Sequence, residues 1–453
     1  MSEVAQISSS PDDCSDALVI GGGPAGTTIA TLLKEKGWRV TLLEQDHHPR
    51  FHIGESLLPM NLPILQRLGV LEAVRGIGVI KYAAEFSPGH SDQPCQPFYF
   101  SNAFDRSHPY AFQVRRSEFD EILFRNCQAK GVDAHEGIRV RDVTFRPGRT
   151  HRVATIDDSG VARSWETRFV IDASGRDTLL SRKLRFKRKN SEHQSAALFG
   201  HFTHVLRRPG RDEGNISIYW FEHGWFWMIP LRDGVMSVGA VCWPEYLKTR
   251  TTSPEDFLWQ TIRLCPRVAE RMQAAQLVDK VRATGNYSYT SDRMYGDDFI
   301  LVGDAFAFID PVFSTGVMLA MTGALIGANA VDAHLRDPAS SRRLFEQYQR
   351  RMLRGVRIVS WFIYRFTSPA MQNLFMAPRT VFQLQQAVTS VLAGDLFGTT
   401  RVGVPLAIFR AVFYLTFALN FSRAWRSYQR RKRNVGIDFR GGTLPEDQRA
   451  LSE

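Results

Sequence analysis

The chain has 453 residues, of which 44% are hydrophobic and 23% are charged, so it is globular and long enough for more than one module. Its net charge of +11 at pH 7 predicts affinity for an acidic carrier protein or a membrane surface, and no nucleic-acid-binding module accompanies that charge. Five scattered cysteines without a C-x-x-C pair argue against disulfides and favour a reducing cytoplasm. Residues 1–13 are polar and are predicted to be a short disordered lead.

A glycine-rich turn follows the first predicted strand. Gly21, Gly23 and Gly26 form G-x-G-x-x-G, in which the first glycine makes the turn and the second lets the backbone approach a pyrophosphate. The third packs the next helix on the strand, Ala25 lies inside the turn, and the helix points its N-terminus at the phosphates. Glu44 closes the second strand, where it can accept a hydrogen bond from a ribose hydroxyl. This pattern predicts a Rossmann-like dinucleotide-binding fold.

Apolar residues at helical or alternating spacing predict the helices and strands between the glycine turn and residue 130. In chain order we predict a helix Leu57–Leu71, strands Val79–Phe86, Phe98–Phe104 and Tyr110–Val114, and a helix from Arg115 to about Lys130 with Ser117 as its N-cap. His47, His48 and His52 lie close together before these elements. Their spacing matches no pair of metal ligands, so we predict a polar loop without a metal.

The middle of the chain returns to strands. Strands at Val153–Ile156 and Thr167–Ile171 lead into Asp172–Asp177 and then into a basic run, 182–189, which we interpret as a solvated loop rather than a docking patch. From residue 196 the period changes to two, which predicts an inserted antiparallel sheet before a helical segment. The sheet strands are Leu198–Val205, Asn215–Phe221, Trp225–Leu231 and Val235–Cys242, and the helical segment is Ser253–Leu277.

Two apolar segments follow the strand that begins at Phe299. Pro311–Val331 carries no charge over 21 residues, which is long enough to span a bilayer, but its glycines predict a helix buried in the protein. The rest, to about Arg433, is predicted to be helical. There Val402–Phe421 carries one charge, Arg410, and several arginines follow it. Two interpretations stay open, a bundle helix with a basic end and a membrane-surface helix with a polybasic flank.

Three motifs in order resemble the FAD-dependent monooxygenase superfamily: the glycine turn with Glu44, then Asp172–Asp177, then Gly303-Asp304-Ala305 leading to Asp310-Pro311. The resemblance covers about residues 14–345. It implies an α/β fold of the glutathione-reductase type that binds FAD, with an inserted antiparallel β-sheet and a helical C-terminal region. In that superfamily Asp304 would contact the FAD ribityl chain, and Arg116 and Gly316 would join the glycine turn in binding FAD.

The same resemblance implies a division into modules, with no second G-x-G-x-x-G to suggest a separate NAD(P)H domain. The modules are a discontinuous FAD-binding module (14–80, 112–185 and 278–345), a β-sheet substrate module (81–111 and 186–277) and a helical C-terminal region (346–453).

Within the superfamily, two features resemble the flavin-dependent halogenases. Trp225, Trp227 and Pro230 stand in the halogenase pattern W-x-W-x-I-P, whose residues line the space beside the flavin and disfavour oxygen transfer to an organic substrate. Core packing explains the alternation of the two tryptophans but not the Ile-Pro ending. Lys81 follows a G-E-S-x-x-P segment, 54–59, as the halogenase lysine does. The resemblance implies that Lys81 holds hypohalous acid or carries halogen on its nitrogen, although a lone strand lysine is usually solvated.

The turn after Asp310 resembles the halide site. Ser314, Thr315 and Gly316 begin a helix whose backbone N–H groups suit a small anion. Tryptophan halogenases carry a glutamate just before this turn, whereas this chain has Phe313, which is expected to line the active site. The chain therefore resembles the phenol and pyrrole halogenases, several of which act on substrates held by carrier proteins.

The resemblance implies an enzyme of secondary-metabolite biosynthesis that halogenates an electron-rich phenolic or pyrrolic ring with FADH2, O2 and chloride or bromide. Its expected partners are a separate NAD(P)H-dependent flavin reductase and an aromatic substrate that a carrier protein can hold. The enzyme is expected in the cytoplasm, where its basic C-terminal region can contact the inner face of the membrane. The alternatives are an FAD-dependent aromatic hydroxylase, a membrane-associated flavin reductase of the geranylgeranyl type and a flavin-bearing scaffold without activity.

Overall fold

The structure is a computed structural model that describes residues 14–90, 93–285, 288–398 and 400–437. The lead predicted at residues 1–13 lies outside the described residues. The strands are β1 (Cys14–Ile20), β2 (Val40–Leu43), β3 (Val79–Lys81), β4 (Ala83–Pro88), β5 (Gln96–Tyr99), β6 (Ala111–Gln113), β7 (Asp133–His135), β8 (Ile138–Thr144), β9 (His151–Asp157), β10 (Ala162–Asp172), β11 (Lys187–Lys189), β12 (Ala196–Thr203), β13 (Ile216–Phe221), β14 (Gly224–Pro230), β15 (Met236–Cys242), β16 (Gln276–Leu277), β17 (Arg282–Thr284), β18 (Tyr289–Ser291), β19 (Phe299–Leu301) and β20 (Ala307–Phe308).

The helices of the described part concentrate towards its C-terminus. They are α1 (Pro24–Glu35), α2 (Leu62–Leu68), α3 (Leu71–Ile77), α4 (Arg116–Ala129), α5 (Leu179–Lys183), α6 (Pro244–Leu247), α7 (Pro254–Arg263), α8 (Pro266–Arg271), α9 (Thr315–Arg336), α10 (Pro338–Ile363), α11 (Pro369–Met376), α12 (Leu384–Leu392), α13 (Gly403–Leu419) and α14 (Phe421–Val435).

The first sheet places β7, β2, β1 and β10 side by side in parallel, and β19 also runs parallel to β10. The register pairs Ile20 with Leu43 and with Asp172, and Asp172 with Leu301. Four strands therefore end at the same edge. In an open parallel sheet, ligands bind outside the carboxyl ends of the strands. The glycine turn and the residues just after β2, β10 and β19 meet at this edge for that reason.

The second sheet runs β16–β12–β15–β14–β13–β4–β5, with β17 also paired to β12. It is antiparallel as predicted except that β13 and β4 run parallel, with Ile216 opposite Ala84. One face packs on α7 and α8, and the other packs on the C-terminal helices in a cluster rich in phenylalanine and tryptophan. The sheet is thus buried on both sides, which explains its long uninterrupted apolar strands.

Several predicted boundaries are wrong. The strand predicted at Val79–Phe86 breaks at Tyr82 into β3, which pairs with β6, and β4, which belongs to the second sheet. Ser117 does not cap α4, because the helix begins one residue earlier and Arg115 occupies the N-cap. In place of the predicted helix Leu57–Leu71, the structure has a 3-10 turn and α2. The predicted strand Phe98–Phe104 is β5 followed by a 3-10 turn. The predicted helix Ser253–Leu277 is divided into α7, α8 and β16.

The buried helix that was predicted from the uncharged segment Pro311–Val331 corresponds to α9, which packs between α1 and α10. Its small residues permit a close approach, since a Cβ at Gly327 would lie 3.1 Å from Ile300 Cδ1, and one at Gly323 would lie 3.2 Å from Met352 Cε. By length and composition α9 could cross a membrane, and α13 with α14 would count as a second span bent by 105°. More than half of the apolar stretch of α9 is buried inside the protein, which identifies it as a core helix.

Candidate active site

The glycine turn has the close packing that its motif requires. Gly21 has φ +102°, and a Cβ there would lie 2.5 Å from the Ala173 oxygen, while a Cβ at Gly26 would lie 1.9 Å from the Gly21 oxygen. Gly23 is different, because a Cβ there would meet only Arg50 Nη2 at 3.7 Å. The first and third positions therefore pack the helix on the strand, and the second faces open space where a phosphate group can approach.

Glu44 lies beside this turn and is buried. Its carboxylate accepts hydrogen bonds from the Gly22 amide at 2.6 Å and the Asp46 amide at 3.0 Å. Arg50 Nη2 also contacts it at 3.3 Å, and Arg50 Nη1 lies 3.4 Å from Asp120. Arg50 is a site residue that the sequence analysis missed. It stands in a polar loop without a motif of its own, and only the return of that loop over Gly23 reveals it.

Arg116, at the start of α4, is buried and has three polar partners. Its guanidinium donates to the two Asp120 oxygens at 2.8 and 2.9 Å, and to the Ile53 carbonyl at 2.7 Å. Gly54 adopts φ +106° directly beside Arg116 Nη1. Arg116 therefore holds the segment 50–56 against the nucleotide-binding edge, and any contact with FAD would be additional to that role.

Asp304 lies in a 3-10 turn directly after β19, at the shared sheet edge. Ala25 packs beneath it, with its Cβ 3.2 Å from the position of a Gly303 Cβ. Burial raises the pKa of Asp304 to about 6, and the charges of Arg176 and Arg116 oppose that rise. A half-buried carboxyl with two acceptor oxygens is suited to hydrogen bonding with the hydroxyls of a ribityl chain.

The turn before α9 is held by a buried polar group. Asp310 accepts from the Val312 amide at 3.1 Å and from the hydroxyl of Ser195 at 2.9 Å, and His193 Nε2 lies 2.9 Å from the same carboxylate. No sequence motif marks His193 or Ser195, which lie more than a hundred residues from Asp310 in the chain. A small pocket opens beside them, lined also by Trp225, Trp243, Val312 and Phe366.

Ser314 follows with φ +55°, and α9 begins at Thr315. The Ser314 amide is already bonded to the Pro311 carbonyl, whereas the first amides of a helix have no intrahelical acceptor. A Cβ at Gly316 would meet nothing within 4 Å. The open space therefore lies against unpaired backbone donors at the positive end of a helix of 22 residues, an arrangement suited to a halide.

Lys81, at the end of β3, is 1% exposed. Its Nζ donates to Ser56 Oγ at 2.8 Å and to the Leu57 carbonyl at 3.1 Å, and it lies 5.3 Å from the centre of the Phe100 ring. Burial lowers the pKa of Lys81 to about 7. Both the amine and the ammonium are then populated near neutral pH, which an ordinary surface lysine does not achieve. The interpretation of Lys81 as a solvated strand residue is wrong.

Trp225 and Trp227 share the face of β14 that packs on the C-terminal helices, and both are 4% exposed. Trp227 donates to Ser237 Oγ at 3.1 Å, and its ring occupies the place that a Cβ at Gly239 would take. Pro230 ends the strand and is buried. Trp227 is therefore held on two sides, by the hydroxyl of Ser237 and by the backbone of Gly239, on which its ring packs.

Phe313 is buried in the same aromatic cluster. Its ring contacts Phe362, Phe366 and Phe375 from α10, the turn after it and α11. Phe100, the neighbour of Lys81, belongs to this cluster together with Trp225 and Trp227. Lys81 thus contacts, through Phe100, the apolar cluster that holds the tryptophan pair and Phe313, and the C-terminal helices cover this cluster.

The three histidines near the turn have separate partners. His47 Nε2 lies 2.6 Å from Asp158, His48 Nδ1 lies 2.8 Å from Glu136, and His52 Nδ1 lies 2.8 Å from the Ile53 carbonyl. They are therefore used individually to attach a surface loop.

Comparison with known proteins gives a consistent result. The sequence profile described as tryptophan halogenase matches residues 16–103 and 96–373. A tryptophan 2-halogenase of Chondromyces crocatus is 36% identical over 404 residues, which are 85% of this chain and 75% of the relative. A 1H-pyrrole-2-carbonyl-[peptidyl-carrier protein] chlorinase of Pseudomonas fluorescens is 27% identical over 86% of this chain and 91% of its own. The solved myxobacterial chondrochloren halogenase CndH superposes with a TM-score of 0.75 at 33% identity, covering 90% of this chain and 97% of the other.

Proposed function

This chain belongs to the tryptophan halogenase family and is a flavin-dependent halogenase, and from that premise we propose that Lys81 delivers an electrophilic halogen to an electron-rich aromatic ring. The observation that carries the proposal is the burial of Lys81, whose Nζ lies 5.3 Å from the ring centre of Phe100, a member of the apolar cluster that also holds Trp225 and Trp227. A lysine is almost never fully buried without an anionic partner unless its chemistry is used.

The residues present fit FAD. The open space at Gly23 lies under Arg50, whose buried Nε makes no hydrogen bond among the described residues and lies 3.9 Å from Asp46 Oδ2. A guanidinium and a backbone without a side chain therefore face the same place. Glu44 and Asp304 stand at the same sheet edge for the ribose and the ribityl chain. When bound in the reduced form, the flavin supplies the oxidation of halide by O2 to hypohalous acid. Enzymes of this family receive reduced flavin from a separate reductase.

The halide would bind at the amides of Thr315 and Gly316. Asp310 caps the turn before them, and His193 and Ser195 hold that carboxylate, so the amides are oriented in advance. Preorganised donors that need no rearrangement bind a small anion at low cost in entropy. The helix dipole adds to the attraction.

Lys81 can act in either protonation state, as an ammonium that hydrogen-bonds hypohalous acid or as an amine that accepts the halogen. In the second route the amine nitrogen forms a bond to halogen, the oxygen–halogen bond breaks, and the released hydroxide takes the amine proton as water. A ring carbon then bonds to the halogen, the nitrogen–halogen bond breaks, and the ring proton restores the amine. The pKa of about 7 leaves enough amine for this route at neutral pH.

The substrate we propose is a phenol or a pyrrole. Phe313 supplies no carboxylate to accept a ring proton, and these rings lose that proton without help. The net charge of +11 suits an acidic carrier protein, and one relative is named for a carrier-bound pyrrole. Another relative is named for tryptophan, so free tryptophan belongs among the substrates tested.

The test supplies the protein with FAD, a flavin reductase, NADH and chloride or bromide. Resorcinol, pyrrole-2-carboxamide, pyrrole-2-carboxylate on a carrier protein, and tryptophan serve as probes, and mass spectrometry detects the halogen isotope pair. We expect a halogenated product from a phenol or pyrrole probe, and its loss in Lys81→Ala while NADH oxidation continues. A hydroxylated product would contradict the proposal, and full-rate halogenation by Lys81→Ala would remove Lys81 from the mechanism.

We further propose that this cytoplasmic enzyme contacts an anionic membrane through α13 and α14. The two helices contain no Asp or Glu, whereas Arg423, Arg426 and Arg433 of α14 are exposed. At their bend, Leu419 is 87% exposed and Phe421 57% exposed. Bulky apolar groups flanked by arginines insert at the headgroup level of a bilayer, and each basic residue near an anionic surface contributes roughly 1 kcal/mol.

A further inference from the structure

We propose that Asn215 is a positioning residue that sets the place of Lys81 by holding the backbone directly after it. This inference rests on the proposed role of Lys81 as the halogen carrier. Asn215 is fully buried, and neither the motifs of the sequence nor its resemblance to a family drew attention to it.

The backbone changes sheets immediately after Lys81. Strand β3 pairs with β6, β4 pairs with β13 and β5, and Tyr82 between them belongs to neither strand. The amides of Tyr82 and Ala83 have one common acceptor, the side-chain oxygen of Asn215, at 3.0 and 2.8 Å. This oxygen therefore accepts the hydrogen bonds of the two residues at which the chain passes from one sheet to the other and the regular pairing between strands is interrupted.

The parallel register of the second sheet brings Asn215 to this step. Ile216 pairs with Ala84, so the residue before β13 lies beside the start of β4. Gly214 lies against β3 itself, since a Cβ there would be 1.9 Å from the Ile80 oxygen. The Gly214 carbonyl accepts a hydrogen bond from the side-chain Nε2 of Gln113, the last residue of β6, at 3.1 Å. Residues 214 and 215 thus contact the backbone on both sides of Lys81.

The orientation of Asn215 is fixed from its other end. Its Nδ2 donates to Glu85 Oε1 and to Asp212 Oδ1, both at 2.9 Å. An asparagine amide has two donor hydrogens and two acceptor sites, and all four are used here. A rotated amide would place its NH2 group against two backbone N–H donors and its oxygen against two carboxylates, which excludes the alternative orientation.

The network continues to a charged group near the surface. Glu85 is 1% exposed and forms an ion pair with Arg208 at 3.2 Å, and the hydroxyl of Tyr99 donates to Asp212 at 2.9 Å. Hydrogen bonds that converge on one buried side chain make the segment that it holds more rigid. The rigid segment here ends at the lysine whose Nζ must meet hypohalous acid on one side and the ring on the other.

The test compares Asn215→Leu with the wild type, because leucine has nearly the same volume but no amide. Full-length protein is supplied with FAD, reductase, NADH, chloride and resorcinol or pyrrole-2-carboxamide, and a soluble 1,3-diketone traps any hypohalous acid that escapes. The readout is the ratio of halogenated probe to halogenated trap. We expect this ratio to fall by about tenfold or more in Asn215→Leu, since a displacement of about 1 Å at a reacting group has effects of this order.

Two further measurements separate positioning from general loss of structure. If Asn215 acts through Lys81, Asn215→Leu keeps the summed yield of halogenated probe and halogenated trap, and its FAD affinity stays within about twofold of the wild type. Asn434→Leu is the matched control, because Asn434 is also fully buried and bridges the Glu245 amide and the Arg430 carbonyl. It should lower the melting temperature without moving the ratio.

Two outcomes would overturn the inference: an unchanged ratio in Asn215→Leu, or a fall of equal size in the control Asn434→Leu. Full halogenation by Lys81→Ala would instead contradict the proposed function, so the two failures are distinguishable. If Asn215→Leu does not fold, Asn215→Asp replaces it. The carboxylate keeps the acceptor for Tyr82 and Ala83 but opposes Glu85 and Asp212, and we expect a smaller fall in the same ratio.

Discussion

Lys81 Nζ donates a hydrogen bond to Ser56 Oγ over 2.8 Å, which joins the proposed halogen carrier to the segment that also carries Arg50 over the glycine turn. The same segment is held by Arg116 through the Ile53 carbonyl. The lysine and the nucleotide-binding edge are therefore connected by a few residues of one polypeptide segment, and the two halves of the proposed reaction share a structural support.

Lys81→Met should stabilise the protein by an amount that depends on pH. Burial lowers the pKa of Lys81 from about 10.5 in the unfolded chain to about 7, so the unfolded state binds more protons between these values. Burying the lysine lowers the free energy of unfolding by a constant amount below pH 7. This loss shrinks as the pH rises towards 10.5, by up to about 1.4 kcal/mol per pH unit. Urea unfolding of both proteins at pH 6 and pH 9 should show a gain for Lys81→Met that is larger at pH 6. A pH-independent gain would contradict the lowered pKa.

Gly316→Ala should raise stability and weaken halide binding. Gly316 is the second residue of α9 and has no positive φ, and a Cβ there meets no protein atom, so alanine should add somewhat less than the ~1 kcal/mol that it adds in a helix interior. The added methyl group would occupy the space proposed for the halide or the flavin ring. We expect a higher melting temperature together with a several-fold higher KM for chloride or a higher Kd for FAD. An alanine variant with wild-type constants would place both ligands elsewhere.

Arg50→Ala should lower the affinity for FAD. Hydrogen bonds to charged groups contribute about 1.5–3 kcal/mol, which corresponds to a loss of at least about tenfold in Kd. Titration of the quenching of flavin fluorescence measures this change. Arg149→Ala, a substitution of an exposed arginine in the turn between β8 and β9, is the matched control and should leave Kd unchanged. Equal effects of the two substitutions would mean that the overall charge, rather than a contact at Gly23, attracts FAD.

Leu419→Asp combined with Phe421→Asp should abolish binding to anionic vesicles. Both side chains are exposed at the bend between α13 and α14, so the substitutions should not alter the fold. In flotation, the wild type should rise with vesicles containing phosphatidylglycerol and remain behind with pure phosphatidylcholine. Val161→Asp, at an exposed apolar side chain before β10, is the control. A wild type that ignores anionic vesicles, or that binds only an acidic carrier protein, would contradict the membrane proposal.

Much of the nucleotide-binding half could be predicted because its signals are local. A glycine turn between a strand and a helix, with an acid at the end of the next strand, contains its own steric requirements, and Gly21 and Gly26 meet them. The break at Tyr82 could not be predicted in the same way. Alternation of side chains looks continuous through Lys81 and Glu85, although the two strands belong to different sheets.

The sequence by itself determined the dinucleotide fold, the order of the motifs and the chemical types at the site, because these depend on neighbours within a few residues. Only the tertiary structure decided that Lys81 is buried, that Arg50 returns over Gly23, and that His193 and Asn215 hold segments far from them in the chain. The pKa of a lysine depends on how much water surrounds it. That quantity is set by the C-terminal helices and the second sheet together, and no local pattern at residue 81 contains it.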